Sequence, residues 1–158
     1  VLAQNFIPGL FSLRIANKRP PGSSPQFAQS FDNGWLTFGD IYSYLLNFHH
    51  QPDYEVEAAQ YAYSVTQPVS VTEFFSASGL TVPSPGFKGK VMVTTGKYDT
   101  ALCDGECDRI YALKIADHIF PAAAQVLPYV HPNAGHGLNF EKNAPEYYTE
   151  LLKFLASL

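Results

Sequence analysis

Two side chains in this sequence have the types and settings for paired proton-transfer chemistry, Asp99 and His136. Asp99 follows the run Gly89-Lys90-Val91-Met92-Val93-Thr94-Thr95-Gly96, whose β-branched middle and terminal Gly read as a buried strand. His136 follows a second short strand, Gln125-Val126-Leu127-Pro128-Tyr129-Val130, on a loop where Gly135 and Gly137 flank it. In open α/β sheets ligands gather beyond the C-terminal ends of strands. Neighbouring parallel strands would therefore bring this carboxylate and this imidazole together. An aspartate so placed holds the imidazole in one tautomer and stabilises the imidazolium formed when the ring takes a proton. Singly, each residue has an ordinary role: an Asp after a strand bonds its own turn, and a His between glycines closes a loop. Together, at successive strand ends, they favour chemistry.

Other reactive side chains have weaker settings. Cys103 and Cys107 bracket Asp104-Gly105-Glu106. They can close a small disulfide loop, which suits an oxidising compartment. The spacing also fits two reduced thiols, or half of a zinc site that lacks its second Cys pair. His49 and His50 end a predicted helix, where an imidazolium favours the dipole; they line a pocket only if the first half folds over the site. His118 falls on a predicted crossover helix and His131 near a strand end, both without partners at metal-ligand spacing. Neither a metal nor a cofactor is expected. Asp104 and Asp108 suit a turn and the start of the next helix.

Between the two strands, residues 109–120 read as one helix with Ile110, Leu113, Ile115 and Ile119 inward, stopped by Pro121. A last helix starts near Asn143, with Pro145 in its first turn, Glu146 as capping-box partner, and Leu151, Leu152, Phe154 and Leu155 as its apolar face. The order strand, helix, strand, helix implies a parallel, right-handed α/β unit over residues 86–158. Two parallel strands do not make a stable sheet alone, so the sheet is expected to be completed from outside.

Residues 1–85 read as a mostly helical region. After a Pro- and Gly-rich loop at residues 19–25, helices are expected over 36–50 (Thr37 as cap, Asp40 in the first turn), 53–65 (Ala58, Tyr61, Ala62 and Val65 inward) and 68–77 (Pro68 in the first turn, Phe74 and Phe75 buried). Pro83-Ser84-Pro85-Gly86 separates the halves.

Composition narrows the function classes. With 46% hydrophobic and 15% charged residues among 158, the chain is globular, and 12 Phe and 10 Tyr make its core or pocket aromatic. A formal net charge of −4 with scattered Lys and Arg argues against a phosphate-tracking surface, hence against nucleic acid. No apolar run approaches the roughly 18 residues of a membrane span. The start, Val1-Leu2-Ala3-Gln4-Asn5-Phe6, lacks signal-peptide features, as after removal of a signal or at an internal start.

The stretch from about residue 86 onward resembles the closing section of α/β-hydrolases: strand, Gly96-Lys97-Tyr98-Asp99, crossover, strand, Gly135-His136-Gly137, then an amphipathic helix. The loop between Cys103 and Cys107 and the ending Gly137-Leu138-Asn139-Phe140 are similar to those of secreted fungal members. In that family the chain order is nucleophile, acid, histidine. The resemblance implies that Asp99 is the triad acid and His136 the general base. The helical first half then corresponds to a cap whose Tyr44, Phe48, Phe74 and Phe75 roof an apolar or peptide-like substrate. It further implies an extracellular serine hydrolase of esters or amides. The departure is that Gly-x-Ser-x-Gly occurs nowhere. Ser76-Ala77-Ser78-Gly79 lacks the first Gly and the preceding strand. The nucleophile, and the oxyanion-hole segment with it, are expected on a missing or separate N-terminal segment, without which this chain should hydrolyse nothing. A non-catalytic binding module of hydrolase-like shape is the alternative, and an Asp nucleophile would likewise need an elbow upstream.

Overall fold

A computed structural model describes residues 13–19, 30–76, 83–112 and 114–158, without the side chain of Ile115. The loop expected from residue 20, Ser78, Ala77 and Leu113 lie outside the described residues. Helices and strands are mixed, in a small antiparallel sheet and a two-stranded parallel sheet, an α/β-like arrangement.

The first half is not only helical. Strands β1 (Leu13–Ile15), β2 (Trp35–Phe38) and β3 (Val69–Ser70) form an antiparallel sheet in that order, with Arg14 opposite Thr37 and Leu36 opposite Val69. Trp35, Thr37 and Phe38 are strand formers, and the Asp32 carboxylate accepts the Gly34 N–H at 2.8 Å in the turn that starts β2. Thr37 is thus a strand residue, not a helix cap. The first helix, α1 (Ile41–Phe48), is capped by Asp40, whose side chain accepts the Ser43 N–H at 2.8 Å. Helix α2 (Val56–Ser64) buries Ala59, Ala62 and Tyr63. The inward placement expected for Tyr61 and Val65 is corrected: they are 63% and 44% exposed, because the face turned to the core is that of Ala59, Ala62 and Tyr63, and Val65 is the C-cap beyond the last turn. Helix α3 (Val71–Ser76) leaves Phe75 71% exposed, and Pro68 precedes β3 instead of opening a helix.

An aromatic core joins α1 and α2 to β2. Tyr44 stacks on Phe48 at 4.8 Å, meets Phe38 edge-on at 5.7 Å and touches Tyr63 at 5.5 Å. The buried Arg19 guanidinium donates to the Tyr63 hydroxyl and lies 5.4 Å from that ring.

The second half follows the expected order. Strand β4 (Lys90–Gly96) pairs in parallel with β5 (Gln125–His131), Lys90 opposite Gln125 through Gly96 opposite His131. The crossover is not one helix. It comprises α4 (Thr100–Cys103), α5 (Cys107–Ala112) and α6 (Ile115–Ile119), and Lys114 breaks the last two apart at φ 51°. Cys103, Cys107 and Ile110 form a second core, with Tyr111 and Val130 packed on it. Helix α7 (Ala144–Ala156) starts at Asn143 as expected, but no capping box forms: the Asn143 amide donates to the Pro132 carbonyl at 2.6 Å. Of its apolar side chains, Leu151 and Phe154 are half-buried, while Leu152 and Leu155 are exposed.

Candidate active site

Asp99 and His136 meet because the ends of β4 and β5 are locked together. The Lys97 N–H donates to the His131 carbonyl at 2.8 Å, and the Tyr98 N–H to the Ala134 carbonyl at 2.9 Å. Only Gly fits at position 96: a methyl there would stand 2.0 Å from the Gly135 carbonyl oxygen and 2.5 Å from that of Ala134. The chain then turns, and Asp99 caps α4 through Oδ1, which accepts the Leu102 N–H at 2.8 Å. The disulfide loop Cys103–Cys107 folds around the same residue, and the Asp99 carbonyl accepts the Cys103 N–H at 3.2 Å and the Gly105 N–H at 3.0 Å. The pairing of these cysteines replaces the free-thiol and zinc readings.

Asp99 is completely buried, and its Oδ2 receives two donors, the Thr95 hydroxyl at 2.7 Å and His136 Nδ1 at 2.7 Å. Burial, the largest influence on this carboxyl, pushes its pKa up. The His136 hydrogen bond and charge, then Thr95 and the Leu102 N–H, outweigh it together and hold the pKa below the ordinary carboxylate value. An ionised carboxylate only accepts, so Nδ1 of His136 carries the proton and Nε2 of the neutral ring is left with the free lone pair. The His136 side chain is 34% exposed, against 1% for that of Asp99. Solvent or a substrate therefore reaches the base but not the acid behind it.

The first half supplies Phe48, edge-on to the His136 ring at 5.3 Å, and its carbonyl, which accepts the Gly137 N–H at 2.6 Å. Tyr44 sits one ring further in, buried behind Phe48. Phe74 and Phe75 are edge-on to each other at 5.6 Å on α3. His49 is the C-cap of α1, its backbone N–H donating to the Leu45 carbonyl at 2.9 Å, but neither the His49 nor the His50 ring bonds a carbonyl of that helix. The His49 ring is buried near Glu141, whereas His50 pairs with Asp53 at 2.7 Å and stacks on Tyr98 at 3.7 Å. His131 is structural: its Nε2–H donates to the Asn143 carbonyl at 3.1 Å, so Nδ1 accepts from the Tyr129 hydroxyl at 2.9 Å. Lys97 and Asp108 form an ion pair at 3.0 Å beside the disulfide loop.

Two residues of this site escape sequence reasoning. Thr95 had a signal, a hydroxyl in a largely apolar strand four positions before the acid it serves, though Thr94 beside it offered another. Glu141, whose Oε1 accepts the Gly135 N–H at 3.1 Å, had none, because a Glu after a loop is ordinarily solvated. No protein-family model matches the chain, and no curated protein does. What the site can do chemically rests on its geometry: an acid and a base arranged to withdraw a proton from a third group at Nε2 and return it.

Proposed function

We propose that this chain supplies the acid and the general base of a serine hydrolase that cleaves ester or amide bonds through an acyl-enzyme. The observation that carries the reading is the buried, ionised Asp99 held at 2.7 Å from Nδ1 of a partly exposed His136. In the proposed reaction a serine hydroxyl gives its proton to His136 Nε2 as its oxygen attacks the carbonyl. Asp99 stabilises the resulting imidazolium, and the proton passes to the leaving group. Water then repeats the sequence to release the acid. The serine and the oxyanion-hole donors belong to a segment outside these residues, since Gly-x-Ser-x-Gly is absent from the sequence. The half-buried length of β4 supports further sheet beside it. Phe48 against the catalytic imidazole favours apolar or peptide-like substrates, and the disulfide favours an extracellular site.

A second reading, a hydrolase-shaped binding module without turnover, is favoured by the same absence of an elbow. His136→Ala in the intact protein separates them. Turnover is expected to vanish with the fold preserved; a variant as active as the native protein removes His136 from the mechanism.

A further inference from the structure

The loop that carries His136 is fastened from behind by a carboxylate that the proton relay does not use. The Glu141 side chain is fully buried. Its Oε1 accepts two backbone donors from different parts of the chain, Gly135 N–H at 3.1 Å and His50 N–H at 3.3 Å. The buried His49 ring brings Nδ1 to 3.6 Å from the same oxygen. His136 is thus bracketed. The N–H before it is held by Glu141, and the N–H after it by the Phe48 carbonyl. Both holders belong to one unit, because residues 48–55 and 141–142 are themselves joined: Tyr54 bridges Glu141, and the Lys142 N–H donates to the Asp53 carbonyl at 2.7 Å.

The packing leaves little freedom there, for a methyl on Gly135 would come within 2.7 Å of the Phe48 carbonyl oxygen. The arrangement also carries a cost. Glu141 Oε2 and both His49 ring nitrogens are buried without a hydrogen-bond partner among the described residues. Buried polar groups ordinarily find partners, and groups kept without them call for a reason. Hydrogen bonds from two N–H groups to a single oxygen are short-range and directional, and here they set the height of the loop whose central side chain meets Asp99.

We propose that Glu141 is a positioning residue for His136, its Oε1 tying the Gly135–Gly137 loop to the His49–His50 corner so that the imidazole Nδ1 stays on Asp99. The consequence for turnover rests on the hydrolase reading; the clamp itself does not.

The test is the Nδ1 proton of His136, followed by NMR in the intact protein alongside turnover. In the native protein this proton, shared with a buried carboxylate, gives a resolved downfield signal. Glu141→Gln retains a side-chain oxygen for both N–H groups and should keep the signal. Glu141→Ala should lose it, with kcat falling by about 100-fold, the scale of an ångström of misplacement in a reacting group. Val126→Ala, near the start of β5 and away from the site, loosens the sheet and should leave the signal in place, which separates positioning from general destabilisation. If Glu141→Ala does not fold, Glu141→Asp, too short to serve both donors, should show the same loss. A signal that persists in the Ala variant (or in the Asp variant, where that is the one that folds), or one that vanishes equally in Val126→Ala, overturns the proposal. Loss of the signal with turnover unchanged leaves the clamp standing and removes the hydrolase reading instead.

Discussion

The two ends of the parallel sheet are built to different standards. At the C-terminal end Thr95, Gly96, Asp99 and His131 are buried, and both carboxylate oxygens of Asp99 are bonded. Toward the other end, residues 90–94 of β4 are only half-buried, and Gln125 and Pro128 of β5 are exposed. There a cavity of about 410 Å³ opens between the sheet and the crossover helices, lined by Val93, Val126, Ile110 and Phe120. At the end of α7, where the Ser157 carbonyl accepts from the Lys90 ammonium at the start of β4, Leu152, Leu155 and Leu158 are 66%, 58% and 72% exposed. Both Asp99 oxygens are satisfied where the acid and base meet, and hydrophobic closure is incomplete at the open end. The difference teaches that this site is held by local bonds, from Thr95, the disulfide loop and Glu141, rather than by the weight of a finished sheet.

The largest effect should come from the acid. Asp99→Asn keeps the shape but cannot favour the imidazolium, and kcat should fall by about 10⁴-fold. The same variant tests the electrostatics. The folded Asp99 pKa lies below its unfolded value, so its carboxylate stabilises the fold above the ordinary carboxylate range. That contribution is lost as the pH falls through the lower, folded value, and acid-melting curves of Asp99→Asn should lack this part of the loss. Next comes the contact that locks the strand ends. Gly96→Ala must push against two carbonyl oxygens and should cost about 3 kcal/mol in denaturant unfolding; a neutral result would mean that the two loops are not in contact. The smallest effect belongs to the open side. Leu152→Ser should change the stability of this chain alone by no more than about 0.5 kcal/mol. A cost like that of Gly96→Ala would show that the open side is covered in solution, and the contrast between the two ends would disappear.

What the sequence made legible follows the same division. Strands β4 and β5 were readable because each is a short β-branched or apolar run between breakers, and Asp99 and His136 because both stand just past those runs. The antiparallel sheet was not readable. Trp35-Leu36-Thr37-Phe38 runs into the helical pattern of Ile41, Leu45 and Phe48, and only Gly39-Asp40 marks the change. The break in the crossover was hidden as well, since Lys is no turn former and Lys114 nonetheless takes a left-handed φ. Leu152 and Leu155 kept their helical spacing, but periodicity reports an apolar stripe without saying what covers it. Glu141 was invisible because its partners, Gly135 and His50, come together only in the folded chain.

The account is tested most directly by treating the native protein with a serine-directed covalent probe and locating the label by mass spectrometry. It predicts a label on a serine of a polypeptide segment outside these 158 residues, and none when His136 is replaced by Ala. Failure to label the native protein, or a label on a serine within this sequence, would contradict it.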